Sequence, residues 1–242
     1  MSDNSAIEWT NATWNPITGC TKISPGCTNC YAETFAERFR GVPGHPYEQG
    51  FDLKLWPNRL QLPHTWKKPK FIFVNSMSDL FHNDIPEQYI LQVFKVMNEA
   101  HWHTFQVLTK RPERMLAMNG RLPWSKNIWM GTSVENADYA FRAEIVSKCD
   151  AYTKFLSVEP LLGPIHQLPL DKIDWVIVGG ESGRRCRAVE EAWILDIKDQ
   201  CAAANVPFFF KQWGGLNKKR TGRLLQGRTW DDMPASGAGG ER

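Results

Sequence analysis

Three cysteines lie within eleven residues near the N-terminus, Cys20, Cys27 and Cys30, in the spacing Cys-x6-Cys-x2-Cys. Pro25 and Gly26 favour a turn between the first two thiols, and a helix-like stretch follows the third. Three thiolates on one short loop can hold three corners of an iron–sulfur cluster and leave one iron open to a small ligand. The spacing therefore predicts an iron–sulfur site.

Two other readings of the cysteine loop stay open. A zinc knuckle would need a fourth ligand, for which His45 and His64 are candidates, although neither has finger-like spacing. A redox pair made of Cys27 and Cys30 would leave Cys20 without a role. The other cysteines are scattered and are expected to be buried or incidental thiols: Cys149, Cys186 and Cys201.

The composition sets broad limits. A chain of 242 residues with 42% apolar residues can form one large domain or two small ones. A net charge of +3 is too small to identify a nucleic-acid binder. No signal-peptide pattern and no long apolar run occurs, so we expect a cytoplasmic protein with no membrane partner. In that compartment six cysteines favour metal binding or catalysis over disulfides.

The elements that must position the thiols form a strand–helix alternation from residue 70 onward. Short apolar runs predict buried strands at Phe71–Asn75, Thr104–Thr109, Asn127–Thr132, Thr153–Val158, Asp174–Val178 and Pro207–Lys211. Helix-like stretches lie between them at Pro86–Ala100, Pro112–Met118, Ala137–Lys148 and Val189–Ala204. This alternation predicts a parallel α/β architecture, either a barrel or a doubly wound sheet.

Polar side chains follow nearly every predicted strand. In barrels the active site is built at the carboxyl ends of the strands, which predicts this pattern. Helix N-caps are the alternative explanation, but Lys, Gln and Glu are not preferred caps. The strand-end segments are 75–79, 109–111, 132–136, 157–160, 179–183 and 211–213.

The chain is predicted to form one barrel domain over residues 1–216. Residues 41–69 are rich in Pro, Gly and aromatic residues without periodicity, which suggests an inserted loop or lid. Residues 217–242 begin as a basic tail and become rich in Gly, Ala and Ser, so we expect the last eight or so to be disordered.

The chain resembles a bacterial and bacteriophage protein family of uncharacterised function that is placed beside spore photoproduct lyase among the radical S-adenosylmethionine enzymes. The resemblance covers about residues 7–234. It rests on Trp14-Asn15-Pro16, on the run from Gly19 to Glu33, and on the segments 75–82, 108–112, 131–136, 156–161, 179–183 and 210–214. It implies a partial (β/α)6 TIM-type barrel, with the cluster loop after the first strand.

The chain departs from the pattern of this superfamily in two places. Most radical S-adenosylmethionine enzymes have three residues in the first gap of the cysteine motif, whereas this chain has six. The stretch 183–189 reads Gly-Arg-Arg-Cys-Arg-Ala-Val where an Ala-Arg-Pro-type sequence is expected. A longer loop can still bring three sulfurs together, so the resemblance still implies a cluster.

The resemblance implies a [4Fe–4S] cluster on Cys20, Cys27 and Cys30, with S-adenosylmethionine on the open iron. One electron, from a donor such as flavodoxin or ferredoxin, would cleave the cofactor to a 5′-deoxyadenosyl radical. By the same resemblance Ser76, Ser78 and Asp79 bind the methionine amine, and Ser133 and Glu135 contact the ribose or carboxylate. Glu159 and Glu181 would add further polar contacts.

For the substrate, basic residues at the predicted strand ends suggest a phosphate backbone, in DNA or RNA. The candidates are Lys110, Arg111, Arg184, Arg185 and Lys211, with His82 as a proton donor or substrate ligand. Ordinary solvated surface charge is the alternative, and the balance of 29 basic and 26 acidic residues supports it.

Three function classes therefore follow. The first is a lyase-like radical enzyme in DNA photoproduct repair or nucleotide modification. The second is an iron–sulfur redox or sensing protein without radical chemistry. The third is a zinc-stabilised, nucleic-acid-binding phage accessory protein. Iron content separates the third from the other two.

Replacing Cys20, Cys27 or Cys30 with Ala is expected to abolish cluster binding, because each removes one of three thiolate ligands. Cys149→Ala serves as the control and is expected to keep the iron. The measurement is the iron and sulfide content of each variant after anaerobic reconstitution. Unchanged iron in the Cys27→Ala variant would refute the ligand assignment.

Overall fold

A parallel sheet of seven strands forms the centre of the chain. The computed structural model describes residues 5–234, except for the side chains of Lys218 and Lys219. In chain order the strands and α-helices are β1 (Ala12–Trp14), β2 (Ile17–Thr18), α1 (Tyr31–Ala36), β3 (Lys54–Leu55), α2 (Leu62–Thr65), β4 (Phe71–Val74), α3 (Glu87–Glu99), β5 (Thr104–Thr109), α4 (Pro112–Met118), β6 (Ile128–Ser133), α5 (Phe141–Val146), β7 (Thr153–Val158), β8 (Trp175–Gly179), α6 (Glu191–Ala203), β9 (Phe208–Gln212) and α7 (Lys218–Thr221).

The strands follow one another in the order β1-β4-β5-β6-β7-β8-β9, and every neighbouring pair is parallel. Helices α3, α4, α5 and α6 connect successive strands, as parallel pairing requires. The sheet curls into a half-barrel flanked by these helices, which confirms the predicted partial-barrel architecture. The expected number of six strands was wrong, because β1 adds a seventh strand at the edge. Strands β2 and β3 form a separate antiparallel pair.

The predicted helices largely agree with the structure. Pro112 begins α4, and Pro86 is the N-cap of α3, where a missing amide proton has no cost. The helix expected over 137–148 is instead a short 3₁₀ turn, Ala137–Tyr139, followed by α5. Within residues 5–234, no helix has both the length and the apolarity required to cross a membrane.

Side chains alternate between the two faces of the sheet, as the period of a strand requires. On the helix-covered face, Ile72 and Val107 are fully buried and join the main core with Ile90, Val93 and Phe94 of α3. The other, concave face carries a second buried cluster that is mostly aromatic: Trp9, Phe73, Trp129, Phe155, Trp175, Ile177 and Phe209. The sheet therefore has a core on each side.

The aromatic cluster fills only the amino-terminal part of the concave face. The ring of Trp175 lies 5.8 Å from those of Phe155 and Phe209 and 6.0 Å from that of Trp129. Two residues further along β7, the same face carries Ser157, which is smaller and lines a cavity. Large aromatic side chains fill the amino-terminal part of the concave face, and small polar side chains at the carboxyl ends of the strands leave space for the cavity.

Residues 217–234 pack against the sheet, although a basic tail was predicted from residue 217 onward. Leu225 is fully buried, and Trp230 packs against the main core. The indole Nε1 of Trp175 donates to the carbonyl of Asp232 at 2.8 Å, which ties this segment to the aromatic cluster. The residues expected to be disordered, 235–242, lie outside the described residues.

We predict that Gly131→Ala lowers the free energy of unfolding by about 1–3 kcal/mol, because overpacked cores are destabilised by that amount. A methyl group at Gly131 would lie 2.5 Å from ring carbons of Phe155. Gly120→Ala is the matched control, since a Cβ there meets no atom of the described residues within 4 Å. Urea unfolding of both variants measures the effect. Equal losses of stability would contradict this account of the concave face.

Candidate functional site

The three clustered thiols line one cavity of about 460 Å³ at the carboxyl ends of the strands. This volume lies in the range of small-molecule sites. The sequence analysis placed site residues at these strand ends, and many of them line the cavity. Those residues are Ser76, Ser78, Asp79, Lys110, Arg111, Ser133, Glu159, Glu181 and Lys211.

The cysteine loop runs from the end of β2 to the start of α1. Gly19 has φ of +87°, and a Cβ there would lie 2.2 Å from the carbonyl oxygen of Asp52, so the loop starts at a position that favours glycine. The chain reverses direction in a short 3₁₀ turn, Pro25–Cys27, as the Pro-Gly pair predicts. Cys30 is the N-cap residue of α1. Cys27 therefore lies in a turn and Cys30 at the start of a helix, and both line the cavity.

Two of the thiols have polar neighbours. Nη1 of Arg111 donates to Sγ of Cys20 at 3.5 Å, and Oγ of Ser24 lies 3.7 Å from Sγ of Cys27. Burial raises the pKa of Cys20 to about 11 and also raises the pKa of Cys30. Both are therefore protonated thiols at neutral pH, and a metal that binds them must displace protons.

The two histidines considered as zinc ligands, His45 and His64, do not line the thiol cavity. Within the described part of the chain, no group of three or more His, Cys, Asp or Glu side chains is placed so that it could hold a metal ion. The ring of His45 stacks on that of Phe39 with centroids 3.8 Å apart, and His64 lies 3.7 Å from the Glu99 carboxylate. Neither is among the residues that line the cavity, so their positions do not support the zinc alternative.

The carboxylate of Asp79 lines the cavity, but its hydrogen bonds are made to other protein groups. Its carboxylate accepts hydrogen bonds from Oγ1 of Thr109 at 2.7 Å, from the amide of Lys110 at 3.0 Å and from Nη1 of Arg111 at 3.0 Å. Nη2 of Arg111 in turn donates to the carbonyl and to the hydroxyl of Thr21, both at 3.0 Å. The pair of Asp79 and Arg111 therefore holds the beginning of the cysteine loop.

Glu135 holds the middle of the loop. Its fully buried carboxylate forms an ion pair with Nη1 of Arg142 at 2.9 Å and accepts a 2.5 Å hydrogen bond from Oγ of Ser24. A Cβ on Gly26 would lie 2.5 Å from Cγ of Glu135, so the glycine allows the close approach of the loop. Glu135 does not line the cavity.

Glu181 holds the end of the loop. It accepts hydrogen bonds from Nδ2 of Asn29 at 3.0 Å and from Nε of Arg187 at 2.9 Å. Nη2 of Arg187 also donates to the carbonyl of Pro25 at 3.0 Å. Burial acts to raise the pKa of Glu181, but the hydrogen bonds from Arg187 and Asn29 outweigh it and lower the pKa. The carboxylate is therefore ionised.

These contacts change the role expected for three predicted cofactor ligands. Asp79, Glu135 and Glu181 each form an ion pair with an arginine and bond to the cysteine loop, either directly or through that arginine. They are anchors of the loop. Two further candidates also have internal partners, since Oγ of Ser76 donates to Oδ1 of Asn15 at 3.2 Å and Oγ of Ser78 donates to the carbonyl of Ile17 at 3.0 Å.

Three further charged groups line the cavity beside the thiols: Lys110 after β5, Glu159 after β7 and Lys211 in β9. Nζ of Lys211 lies 3.0 Å from the carboxylate of Glu159, and both side chains line the cavity. Nζ of Lys110 lies 3.9 Å from Glu135 and also faces this space. The cavity therefore presents a carboxylate and two ammonium groups beside the thiols.

The other predicted substrate residues lie outside this cavity. Nε2 of His82 is 2.8 Å from Oγ1 of Thr21, and the ring is buried, so His82 supports the loop rather than contacting a ligand in the cavity. Burial is the main cause that lowers its pKa. Arg184 and Arg185 are exposed and line a neighbouring cavity of about 1,100 Å³.

A family model matches residues 4–234. The chain belongs to the family described as "Protein of unknown function (DUF5131)". None of the curated proteins or solved structures compared with the chain gave a match. The DUF5131 match spans the cysteine loop, all seven strands of the sheet and the packed segment 217–234, so the cavity is built entirely from the matched region.

Among the cavity residues of this DUF5131 protein to which the sequence analysis gave no site role are Asn75 and Tyr31. Asn75 has φ of +59° and is buried, and its side-chain amide has no hydrogen-bond partner within residues 5–234. Tyr31 donates its hydroxyl proton to the carbonyl of Ser76. Asn tolerates left-handed backbone, so an Asn at a strand end could have pointed to a site role for Asn75. Tyr31 could have been recognised because it directly follows Cys30 in the sequence.

We predict that Glu135→Gln lowers the free energy of unfolding by about 3–5 kcal/mol, because it leaves the buried Arg142 without its charged partner. It should also speed the reaction of the cysteine-loop thiols with a thiol reagent, since Ser24 loses a carboxylate acceptor. Glu144→Gln on α5 is the control, because that side chain is exposed. Urea unfolding and thiol-labelling rates measure both effects. Unchanged labelling in Glu135→Gln would contradict the anchoring role.

Proposed function

We propose that this chain is an iron–sulfur enzyme of the radical S-adenosylmethionine type that acts on nucleic acid. One observation carries the proposal: Cys20, Cys27 and Cys30 line one cavity at the carboxyl ends of a parallel half-barrel. Three thiols without a fourth protein ligand leave one position of a cluster free for a small molecule. The strand-end location is where barrel enzymes build their active sites.

The three thiolates would hold a [4Fe–4S] cluster, with its open iron toward the cavity. When bound, cluster and S-adenosylmethionine supply one-electron cleavage of the cofactor, which requires an external donor such as flavodoxin or ferredoxin. The protein's part is to fix the loop and exclude water. Arg111 places a guanidinium against the sulfur of Cys20, which stabilises the thiolate form that a metal needs.

Glu159 and Lys211 are the residues best placed for the charged end of the cofactor. An amino acid moiety carries one ammonium and one carboxylate group. Glu159 and Lys211 pair with each other, and a ligand that enters between them would give Glu159 an ammonium donor and give Lys211, or Lys110, a carboxylate acceptor. Asp79, which the resemblance suggested for the ammonium, already accepts bonds from Thr109, Lys110 and Arg111. This assignment therefore moves the contact from Asp79 to Glu159.

The aromatic cluster beneath the cavity supports the same proposal. Trp9 and Phe73 line both the floor of the cavity and the aromatic core below it. An apolar floor excludes water and strengthens the electrostatic contacts above it. The basic residues Arg184 and Arg185 beside the cavity support a polyanionic substrate.

The proposed function is tested by anaerobic reconstitution, followed by binding of S-adenosylmethionine in equilibrium dialysis and an assay for 5′-deoxyadenosine after reduction. We predict iron with cofactor binding and cleavage. Glu159→Gln should weaken cofactor binding about tenfold or more, since a hydrogen bond between charged groups contributes about 1.5–3 kcal/mol. Lys126→Ala, an exposed residue before β6, is the control.

The outcomes separate the three function classes. Iron without bound cofactor would contradict the radical chemistry and favour a redox or sensing protein. Zinc alone would show that the cysteine loop is structural and would overturn the proposal. Equal cofactor affinity in Glu159→Gln and wild type would refute only the assignment of Glu159.

A further inference from the structure

A second cavity lies beside the thiol-lined one, and Tyr31 forms part of both walls. We call this second cavity the α1 groove; its volume is about 1,100 Å³, and its wall includes Tyr31 and Phe35 of α1 together with Arg38, Arg184 and Arg185. Asn29, Ser76 and Ser182 also line both cavities, so the groove adjoins the thiol-lined cavity. Whatever binds in the groove lies directly beside the candidate reaction site.

The groove carries an excess of positive charge. Its charged wall residues are Lys22, Arg38, Arg184, Arg185 and Glu33. Glu33 forms a 2.7 Å ion pair with Lys22, which leaves the three arginines. Across residues 5–234, none of these arginine side chains has a carboxylate partner within 4.0 Å. Unpaired arginines in a groove are the features that bind successive phosphates of a nucleic-acid backbone.

The groove also presents aromatic rings to solvent. Tyr31 is 58% exposed and Phe35 is 43% exposed. The two lie four residues apart on one face of α1, and both line the groove. The Tyr31 ring is held by its hydroxyl bond to Ser76, and the Phe35 ring packs 5.3 Å from that of Phe39. Both rings are held in place by internal contacts, as stacking platforms for bases require.

Resting on the proposed function, we propose that the α1 groove binds a single strand of nucleic acid. The strand places its phosphates against Arg38, Arg184 and Arg185 and stacks unpaired bases on Tyr31 and Phe35. One nucleotide then turns past Tyr31 into the thiol-lined cavity. A base inside a duplex has no free face for such rings, and a cavity of about 460 Å³ does not admit a duplex. The groove therefore selects unpaired nucleotides.

The test is fluorescence anisotropy with a labelled twelve-nucleotide strand, as DNA and as RNA, and with the matching duplex. No S-adenosylmethionine is added, so the readout does not depend on radical chemistry. We expect a single strand to bind at least tenfold more tightly than the duplex. Preference for the DNA or the RNA strand identifies the sugar, and either preference supports the groove.

Two variants and a matched control locate the contact. Arg184→Ala/Arg185→Ala should lower the salt dependence of binding by roughly 1.4 in the log–log slope, because each single-strand phosphate contact contributes about 0.7. Phe35→Ala should weaken binding about tenfold through lost stacking. The control Lys126→Ala/Lys148→Ala removes two exposed charges near the amino ends of the strands and should change neither.

The result that overturns the proposal is equal affinity for strand and duplex, or a loss in Arg184→Ala/Arg185→Ala no larger than in the control. If the wild type still cleaves S-adenosylmethionine in that case, the proposed function stands and only the groove assignment fails. If the strand binds through the groove but the protein holds zinc and no iron, the groove stands and the proposed function fails.

Discussion

The position of the cysteine loop depends on three buried carboxylates at the carboxyl ends of the strands, each paired with an arginine. Between β2 and α1 the loop has one short 3₁₀ turn, and backbone hydrogen bonds among the described residues tie only its start, at Gly19 and Cys20, to other segments. A buried carboxylate is costly unless it is paired and its remaining oxygens are bonded. Asp79, Glu135 and Glu181 each meet this condition by binding one arginine and part of the loop. The loop and the sheet therefore stabilise each other, and these contacts fix the positions of the three thiols in the cavity.

The cavity follows from how residue size is distributed on the concave face. Trp129, Phe155 and Trp175 fill its amino-terminal half, while Ser133 and Ser157 line the other half. A ligand can therefore enter only to the depth of the aromatic floor, which keeps it level with the thiols. The anchoring arginines pair with their carboxylates, so the other charged groups that line the cavity are Lys110 and the ion pair of Glu159 with Lys211.

Much of the fold could be predicted from the sequence, because six of the seven strands are short apolar runs bounded by polar residues. The strand Ala12–Trp14 was not predicted from the pattern, since three residues are too few to show alternation. The positions of the site residues at the strand ends were predicted, but the role of three of them as anchors of the cysteine loop was not. Sequence places Glu135 and Glu181 at strand ends, yet only the curvature of the sheet brings Ser24 and Asn29 to them. Arg142 lies on a helix and would be read as solvated, although it is buried against Glu135.

The central claim is that these three thiols hold a cluster whose open iron accepts a small ligand. Electron paramagnetic resonance of the anaerobically reconstituted and reduced protein tests it most directly, with spectra recorded before and after addition of S-adenosylmethionine. The account predicts a reduced [4Fe–4S] signal whose shape changes when S-adenosylmethionine is added, and no signal in the Cys27→Ala variant. A signal that S-adenosylmethionine leaves unchanged, or its persistence in Cys27→Ala, would contradict it.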